Sequence, residues 1–160
     1  YAPGDFKYKY EGEFSEDRIE GTGTLYWTNG DKYEGEFSSG YLHGKGTMYW
    51  DDGTIYIGDF SMNMRTGHGK YYWPGGDWYE GGFFNNTRDG YGELHYSDGD
   101  RYEGGFKQGK KEGHGTYFFK NGDKYVGTFK NGVQDGAGKY YQKATGKVIN
   151  QLWENGRKIE

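Results

Sequence analysis

Cysteine is absent from this 160-residue sequence, and proline occurs only twice. The lack of cysteine excludes disulfide bonds and thiolate metal sites. Hydrophobic residues make up only 32% of the chain, and leucine, isoleucine and valine are too scarce to build a conventional packed core. No stretch is long or apolar enough to span a bilayer. The chain is rich instead in glycine, at 32 positions, and in aromatic residues, with 18 tyrosines, 10 phenylalanines and 5 tryptophans. Because large rings bury much area at little entropic cost, we expect a thin ordered sheet.

The net charge of −4 gives no general reason to expect nucleic acid as a partner. Charge is distributed unevenly along the chain. Residues 1–80 carry 7 basic and 14 acidic groups, whereas residues 81–160 carry 13 basic and 10 acidic groups. We favour drift between similar segments over a functional gradient as the explanation.

A motif of the form Tyr-x-Gly-x-Phe recurs every 23 residues. Its copies begin at Tyr10, Tyr33, Tyr56, Tyr79, Tyr102 and Tyr125. Each copy is followed by a Gly-x-Gly motif, and turn dipeptides such as Asp52-Gly53 close the units. Such dipeptides supply the positive φ angles of tight hairpin turns. Each unit therefore reads as strand, loop, strand and tight turn.

Alternation along the strands predicts which side chains share a face. Tyr33, Gly35 and Phe37 fall on one side, and we expect the glycines to leave a hollow where neighbouring rings lie flat. Since the period is odd, a three-residue turn with a glycine bulge is expected at sites such as Asp52-Gly53-Thr54. That register predicts aromatic cross-strand pairs of Trp27 with Tyr33, Trp50 with Tyr56, Trp73 with Tyr79, Tyr96 with Tyr102, and Phe119 with Tyr125.

The two ends of the chain depart from the repeat. Residues 1–9, with Pro3-Gly4, Phe6 and Tyr8, predict an irregular leading strand. Residues 10–148 hold the six repeats. Residues 149–160 keep Trp153 but have Gln151 where glycine is expected, which predicts a half-repeat that caps the sheet.

These motifs resemble the MORN (membrane occupation and recognition nexus) repeat family, and the resemblance covers residues 10 to about 148. It implies an all-β fold, an elongated, twisted, single-layer antiparallel sheet of tandem 23-residue hairpins with an aromatic-lined groove. It also implies a cytoplasmic module that is associated with the cytoskeleton, a cilium or a membrane. Because a fold hosts many functions, the site has to be argued from residues.

The first functional hypothesis is a protein-binding groove without catalytic activity. An extended peptide or an amphipathic helix would lie along the glycine-bearing face. The predicted contact residues are Trp27, Trp50, Trp73, Tyr96, Phe119, Tyr33, Tyr56, Tyr79 and Tyr102. The alternative is a purely structural role, in which most of these rings pack on glycine and on each other.

A second aromatic column is predicted on the opposite face. It consists of Tyr26, Tyr49, Tyr72, Phe118 and Tyr141, with His95 in the fourth repeat. An exposed row of rings is a candidate for self-association into a homodimer, and the alternative is that it shields the backbone.

The alternative functional hypotheses are an acidic-phospholipid (phosphoinositide) module and an accessory domain of a larger enzyme. Lipid contact would rest on Lys107, Lys110, Lys111, Lys120 and Lys124. No phosphate-cradling loop or activated nucleophile is present, and the carboxylates recur by register rather than as one pair. We therefore expect no catalytic residues, no cofactor and no metal site, with histidines as solvent-exposed loop residues.

Overall fold

The computed structural model describes residues 7–160, with side chains from residue 9 onward. Within these residues all the regular elements are β-strands. They are β1 Lys7–Ser15, β2 Arg18–Trp27, β3 Lys32–Ser38, β4 Tyr41–Tyr49, β5 Ile55–Ser61, β6 Met64–Tyr72, β7 Trp78–Phe84, β8 Thr87–His95, β9 Arg101–Lys107, β10 Lys110–Phe118, β11 Lys124–Lys130, β12 Val133–Tyr141, β13 Val148–Glu154 and β14 Arg157–Lys158. Within each unit, strands that follow one another in the chain hydrogen-bond as antiparallel neighbours. The predicted all-β fold of tandem hairpins is confirmed.

The chain divides into two compact units. The first unit contains the residues up to Pro74 together with Phe83–Asn86, and the second contains Gly75–Gly82 and Thr87–Glu160. Of the predicted leading strand, residues 1–6 lie outside the described residues. At the other end, the segment predicted as a half-repeat forms most of β13 and all of β14.

Rings from successive repeats interlock in each unit. The first tyrosine of the repeat motif has 0% exposure in five repeats, at Tyr33, Tyr56, Tyr79, Tyr102 and Tyr125. Each of these rings contacts one or two phenylalanine rings edge-on. In the first unit the centroid distances are 5.1 Å for Tyr33–Phe37, 5.0 Å for Tyr33–Phe60, 5.2 Å for Tyr56–Phe60 and 5.0 Å for Tyr56–Phe83. In the second unit they are 5.0 Å for Tyr79–Phe106, 5.3 Å for Tyr102–Phe106 and 5.0 Å for Tyr102–Phe129. This edge-to-face packing replaces the missing aliphatic core.

Paired glycines make room for these rings. Gly58 on β5 lies opposite Gly69 on β6, and a Cβ atom on Gly69 would collide with three atoms of the Tyr56 ring. The Tyr56 hydroxyl donates a hydrogen bond to the Asp59 carbonyl at 2.9 Å. The predicted hollow beside glycine is therefore present, and the tyrosine ring fills it.

One buried tyrosine of the repeat motif has no hydrogen bond from its hydroxyl group, so the contribution of this bond to stability can be tested. The buried hydroxyl of Tyr125 has no partner among the described residues. Since a hydrogen bond contributes about 1 kcal/mol net, Tyr56→Phe should lower the free energy of unfolding by about that amount. Tyr125→Phe should leave it unchanged or raise it, because no bond is lost. Urea denaturation of both variants checks this, and equal losses would contradict the assignment.

The predicted register is wrong by two residues. The turn after β4 consists of Asp51, Asp52 and Gly53, with the Gly53 amide donating to the Trp50 carbonyl at 3.0 Å. Gly53 has φ +91° and ends the loop, because the left-handed residue is the last one in this turn type. The predicted three-residue turn with a glycine bulge thus exists, but it begins one residue earlier.

This shift of the turn changes the predicted cross-strand partners of the buried tyrosines. Each tyrosine lies opposite the residue two positions before the predicted ring in the sequence. The observed pairs are Leu25 with Tyr33, Met48 with Tyr56, Leu94 with Tyr102 and Tyr117 with Tyr125. The rings predicted in those places lie at the ends of the strands instead.

A second irregularity recurs inside each repeat. The turn between β3 and β4 has two residues with positive φ, Ser39 and Gly40, which is the geometry of a type I′ turn. Gly44, the first glycine of its Gly-x-Gly motif, has φ +62° and lies where the β3–β4 register shifts. This bulge was not predicted, because alternation alone does not reveal extra unpaired residues.

Hairpin tips are also bonded to the preceding repeat. In the first unit the Asn63 side chain accepts a hydrogen bond from the Leu42 amide at 2.8 Å, and the Asn63 amide donates to the Leu42 carbonyl at 3.0 Å. In the second unit the Gly132 amide donates to the Lys111 carbonyl at 3.0 Å. These bonds fix the strand segments that carry the candidate site.

Candidate functional site

The aromatic face of each unit is the face on which the buried tyrosines lie. Four predicted groove residues, Tyr33, Tyr56, Tyr79 and Tyr102, have 0% exposure, so they do not reach the surface and cannot contact a partner. Trp27 is also buried, at 4%. The half-buried members of the predicted set are Trp50, Trp73, Tyr96 and Phe119. The predicted groove residues that a partner can reach are therefore Trp50 and Trp73 in the first unit, and Tyr96 and Phe119 in the second.

The first unit holds a cleft of 530 Å³ on this face, here called the first-unit cleft. It is lined by Asp31, Leu42, Met48, Trp50, Phe60, Met62, Asn63, Met64, Arg65 and Asn86. Met62 and Met64 are 60% and 39% exposed. Methionine side chains adapt readily to different apolar surfaces, and they are common at binding surfaces.

Arg65 occupies the centre of the rings in the first unit. Its guanidinium carbon lies 5.3 Å from the ring centroids of both Trp50 and Tyr71. Trp50 and Tyr71 are in turn 5.8 Å apart. A cation over an aromatic face is stabilised by the ring quadrupole. The same guanidinium carbon lies 5.8 Å from the centroid of the fully buried Tyr56, so the arginine contacts both the half-exposed tryptophan and the buried core.

The second unit holds a smaller cleft of 240 Å³ on its aromatic face, here called the second-unit cleft. It is lined by Lys111, Tyr117, Phe119, Phe129, Gly132, Val133, Gln134 and Gly156. The Tyr117 and Phe119 rings are 4.9 Å apart. The Tyr117 hydroxyl donates to the Asp100 carboxylate at 2.8 Å, and burial together with this carboxylate raises the pKa of Tyr117. The hydroxyl is therefore a fixed donor, not an acid.

The basic residues of this face were missed from the sequence as a set. Arg65, Arg88 and Lys111 recur at the 23-residue period, and each lies over aromatic rings of its own unit. Only Lys111 was singled out, and for lipid contact. Their 23-residue spacing could have identified them as one set. The equivalent position of an earlier repeat is Leu42, so the position does not read as a basic one from repeat to repeat.

The opposite face carries the second aromatic column. Tyr26, Tyr49, Tyr72, Phe118 and Tyr141 are all half-buried. Several are covered by cations from the neighbouring strand: Lys32 lies 4.5 Å from the Tyr49 centroid, Arg101 4.1 Å from Phe118 and Lys124 4.9 Å from Tyr141. This cover reduces the apolar surface that the column offers, while its role in self-association stays a prediction.

A further cleft of 610 Å³ lies in the second unit. Its lining includes Gly104, Gly115, Gly127 and Gly138, together with Tyr91, which is 65% exposed. Polar side chains line the cleft as well, namely those of Glu103, His114, Thr116, Lys139, Asn150 and Gln151.

The five lysines predicted for lipid contact do not share one face. Lys111 lies among rings on the aromatic face, whereas Lys124 lies over Tyr141 on the opposite face. Lys107 and Lys110 are exposed neighbours across a hairpin. A membrane surface attracts lysines that point toward it together, and this geometry divides them.

We accordingly expect weak binding to acidic vesicles. In cosedimentation with phosphatidylserine vesicles at physiological ionic strength, the chain should stay mostly in the supernatant, because surface charges are screened. The Lys110→Gln, Lys111→Gln variant should behave like the wild type. Strong, salt-sensitive sedimentation that this variant loses would contradict the expectation.

The described residues contain no group of three or more histidine, aspartate or glutamate side chains placed to hold a metal ion. His43, His68 and His114 are exposed, and His95 stacks on Trp78 with ring centroids 3.7 Å apart. No helix in this part of the chain is long and apolar enough to cross a membrane.

Comparison with known proteins identifies the repeat. The profile of the MORN repeat matches residues 10–32, 33–55, 56–78, 79–101, 102–124 and 125–143. No curated protein matches the chain.

Comparison with solved structures returns matches of low identity, three of which follow. The TCP domain of Drosophila melanogaster SAS-4 (dCPAP), in complex with a proline-rich motif of Ana2 (dSTIL), is 19% identical over 98% of this chain and 88% of that chain, with a TM-score of 0.48. A mutant TCP10 domain of Danio rerio CPAP is 18% identical over 100% and 95% of the chains, with a TM-score of 0.31. Its wild-type form is 20% identical over the same shares, with a TM-score of 0.25. At these values the likeness assigns no function to this chain.

Proposed function

The chain belongs to the MORN repeat family, and we propose that it is a non-enzymatic interaction module that binds a segment of a partner protein on its aromatic face. The partner segment is an extended peptide or an amphipathic helix. The cytoplasmic setting implied by the family, near the cytoskeleton, a cilium or a membrane, is part of this proposal.

The first-unit cleft is the observation that supports the proposal. Its volume of 530 Å³ lies within the range of about 300–1,000 Å³ that ligand sites have. Buried Leu42, Met48 and Phe60 form an apolar floor, while half-buried Trp50 and exposed Met62 stand at its surface. An apolar floor with an aromatic anchor at the surface is the arrangement that centres binding energy in protein interfaces.

Polar groups in the same cleft would orient the bound segment. Asp31, Asn63 and Asn86 lie in the lining beside Arg65. The Asn86 side chain accepts a hydrogen bond from the Arg65 amide at 2.9 Å, so this part of the lining is held in place. A few fixed polar groups among apolar walls give specificity to a site that apolar contact alone would leave promiscuous.

The test is the selection of peptides from a displayed random library against the immobilised chain, followed by measurement of Kd for the best binder. Trp50→Ala, Trp73→Ala should weaken binding by about tenfold or more, since buried aromatic anchors carry most of the energy of an interface. The matched control is Tyr49→Ala, Tyr72→Ala, which removes the adjacent rings of the opposite face and should change Kd little. If the control variant loses binding and the tryptophan variant keeps it, the aromatic face is the wrong site.

A further inference from the structure

Lys111 lies in a position that is unusual for a lysine. It is opposite Phe106 in the β9–β10 register, which directs its side chain onto the aromatic face. Its ammonium nitrogen is 5.1 Å from the ring centroids of Tyr96 and Tyr102, and 5.0 Å from that of Tyr117. The adjacent Lys110 is exposed. The sheet therefore holds one lysine of this pair in an aromatic box and leaves the other in water.

No carboxylate of the described residues forms an ion pair with Lys111. Other lysines of the chain do have such partners, for example Lys32, which is 2.6 Å from the Glu34 carboxylate. The charged group that acts on the pKa of Lys111 is another cation, Arg88. Burial and then Arg88 lower the pKa of Lys111 to about 8. A half-buried cation that is repelled by a neighbouring cation is stabilised when an anion binds beside it.

Arg88 does not provide a second open fork for an anion. Its Nη2 donates to the Gly109 carbonyl at 2.6 Å, and its guanidinium carbon lies 5.2 Å from the Phe106 centroid. Bidentate recognition of phosphate uses the planar arginine fork. Lys111 provides one positive charge among aromatic rings. It can balance the single negative charge of a carboxylate, but not the double charge of a phosphate dianion.

The second-unit cleft continues from Lys111 along apolar walls. Tyr117, Phe119, Phe129 and Val133 line it, and its 240 Å³ is below the range of about 300–1,000 Å³ that is typical of small-molecule sites. This size suits one anchoring side chain of a longer ligand better than a whole metabolite. Val133, at 43% exposure, stands at the rim, so the cleft is open to the surface.

We propose that the second-unit cleft is an acid-reading subsite, in which Lys111 pairs with an aspartate or glutamate carboxylate of the partner segment while a neighbouring apolar side chain of that segment fills the cleft. The inference rests on the proposed function and adds the chemistry of the partner to it. The charge complementarity between an unpaired cation and a carboxylate carries the choice of occupant.

The probe is 3-phenylpropionate, which joins a carboxylate to one phenyl ring, titrated into the whole chain and followed by NMR. Saturable shifts are expected at Tyr117, Phe119 and Lys111. The pKa of Lys111, followed through its ε-carbon shift, should rise from about 8 toward its ordinary value when the carboxylate is bound. The neutral isostere 3-phenylpropionamide should bind about tenfold more weakly.

Two variants separate the charge from the fold. Lys111→Gln should lower the affinity for 3-phenylpropionate about tenfold without changing that for the amide, while the matched control Lys110→Gln should bind both like the wild type. Equal affinities of acid and amide, or an unchanged affinity in Lys111→Gln, would overturn the inference. Tighter binding of inorganic phosphate than of the carboxylate would also overturn it and would indicate a phosphate site.

The outcome is distinguishable from that of the proposed function. A selected peptide that depends on Trp50 and Trp73, found together with no carboxylate response at Lys111, would overturn the acid-reading subsite and leave the interaction module standing. A chain that binds 3-phenylpropionate at Lys111 but selects no peptide would overturn the interaction module instead.

Discussion

Tyr56→Ala is expected to lower the free energy of unfolding by about 3–5 kcal/mol, as deletion of a buried aromatic ring does. The ring has no exposed surface. It meets Phe60 at 5.2 Å and Phe83 at 5.0 Å, both edge-on, and lies over the glycine pair below it. Alanine would leave a cavity that the β-sheet backbone cannot close, because Gly58 and Gly69 have no side chains to fill it.

Urea denaturation followed by circular dichroism measures this loss. Tyr41→Ala is the matched control, because Tyr41 belongs to the same unit but is 43% exposed, and it should cost less than about 1 kcal/mol. Since repeats are stabilised by their neighbours, hydrogen exchange should also show loss of protection in the strands beside β5. Equal effects of the two variants would contradict a core made of interlocked rings.

Gly69→Ala is expected to cost about 3 kcal/mol, at the upper end of what overpacking by one methyl group usually costs. The new Cβ would collide with the edge and the hydroxyl end of the Tyr56 ring. That ring cannot retreat, because Phe60 and Phe83 contact it and its hydroxyl is bonded to the Asp59 carbonyl. The penalty comes from space, since the backbone of Gly69 is not in the left-handed region.

Gly75→Ala is the control for this prediction. A Cβ on Gly75 would meet nothing within 4 Å, and its φ is not in the left-handed region. It should be neutral or slightly stabilising, because alanine restricts the unfolded chain. Thermal unfolding of both variants distinguishes them, and a Gly69→Ala protein as stable as wild type would show that the ring does not need the glycine.

Several features of the fold could be predicted from the sequence because they repeat. The six copies of Tyr-x-Gly-x-Phe specify the hairpins, and the shared face of Tyr33, Gly35 and Phe37 follows from alternation. The register could not be fixed in this way. It depends on which loop residue adopts the left-handed conformation, and moving Gly53 from the middle to the end of its turn displaces Trp50 from Tyr56 by two residues.

The candidate site could be predicted only in part, because the sequence does not specify how the rings pack. Sequence patterns reveal which rings share a face, but they do not reveal how deeply each one is buried. Tyr33 and Tyr56 are completely buried while Trp50 stays half-exposed, and the difference arises from packing against glycine. Arg65 and Lys111 were missed as groove residues because a charged side chain is ordinarily assigned to solvent, although its aliphatic stem can lie along rings.

The location of a bound segment tests the account most directly, and the methionines provide the probe. All three methionines of the chain, Met48, Met62 and Met64, line the first-unit cleft. A chain carrying isotope-labelled methionine methyl groups would therefore report on this surface alone. With a selected peptide bound, we predict shifted signals and intermolecular NOEs at the exposed Met62 and Met64 methyl groups. A peptide that binds tightly while all three methyl signals stay unchanged would contradict the assignment of the first-unit cleft as the binding surface.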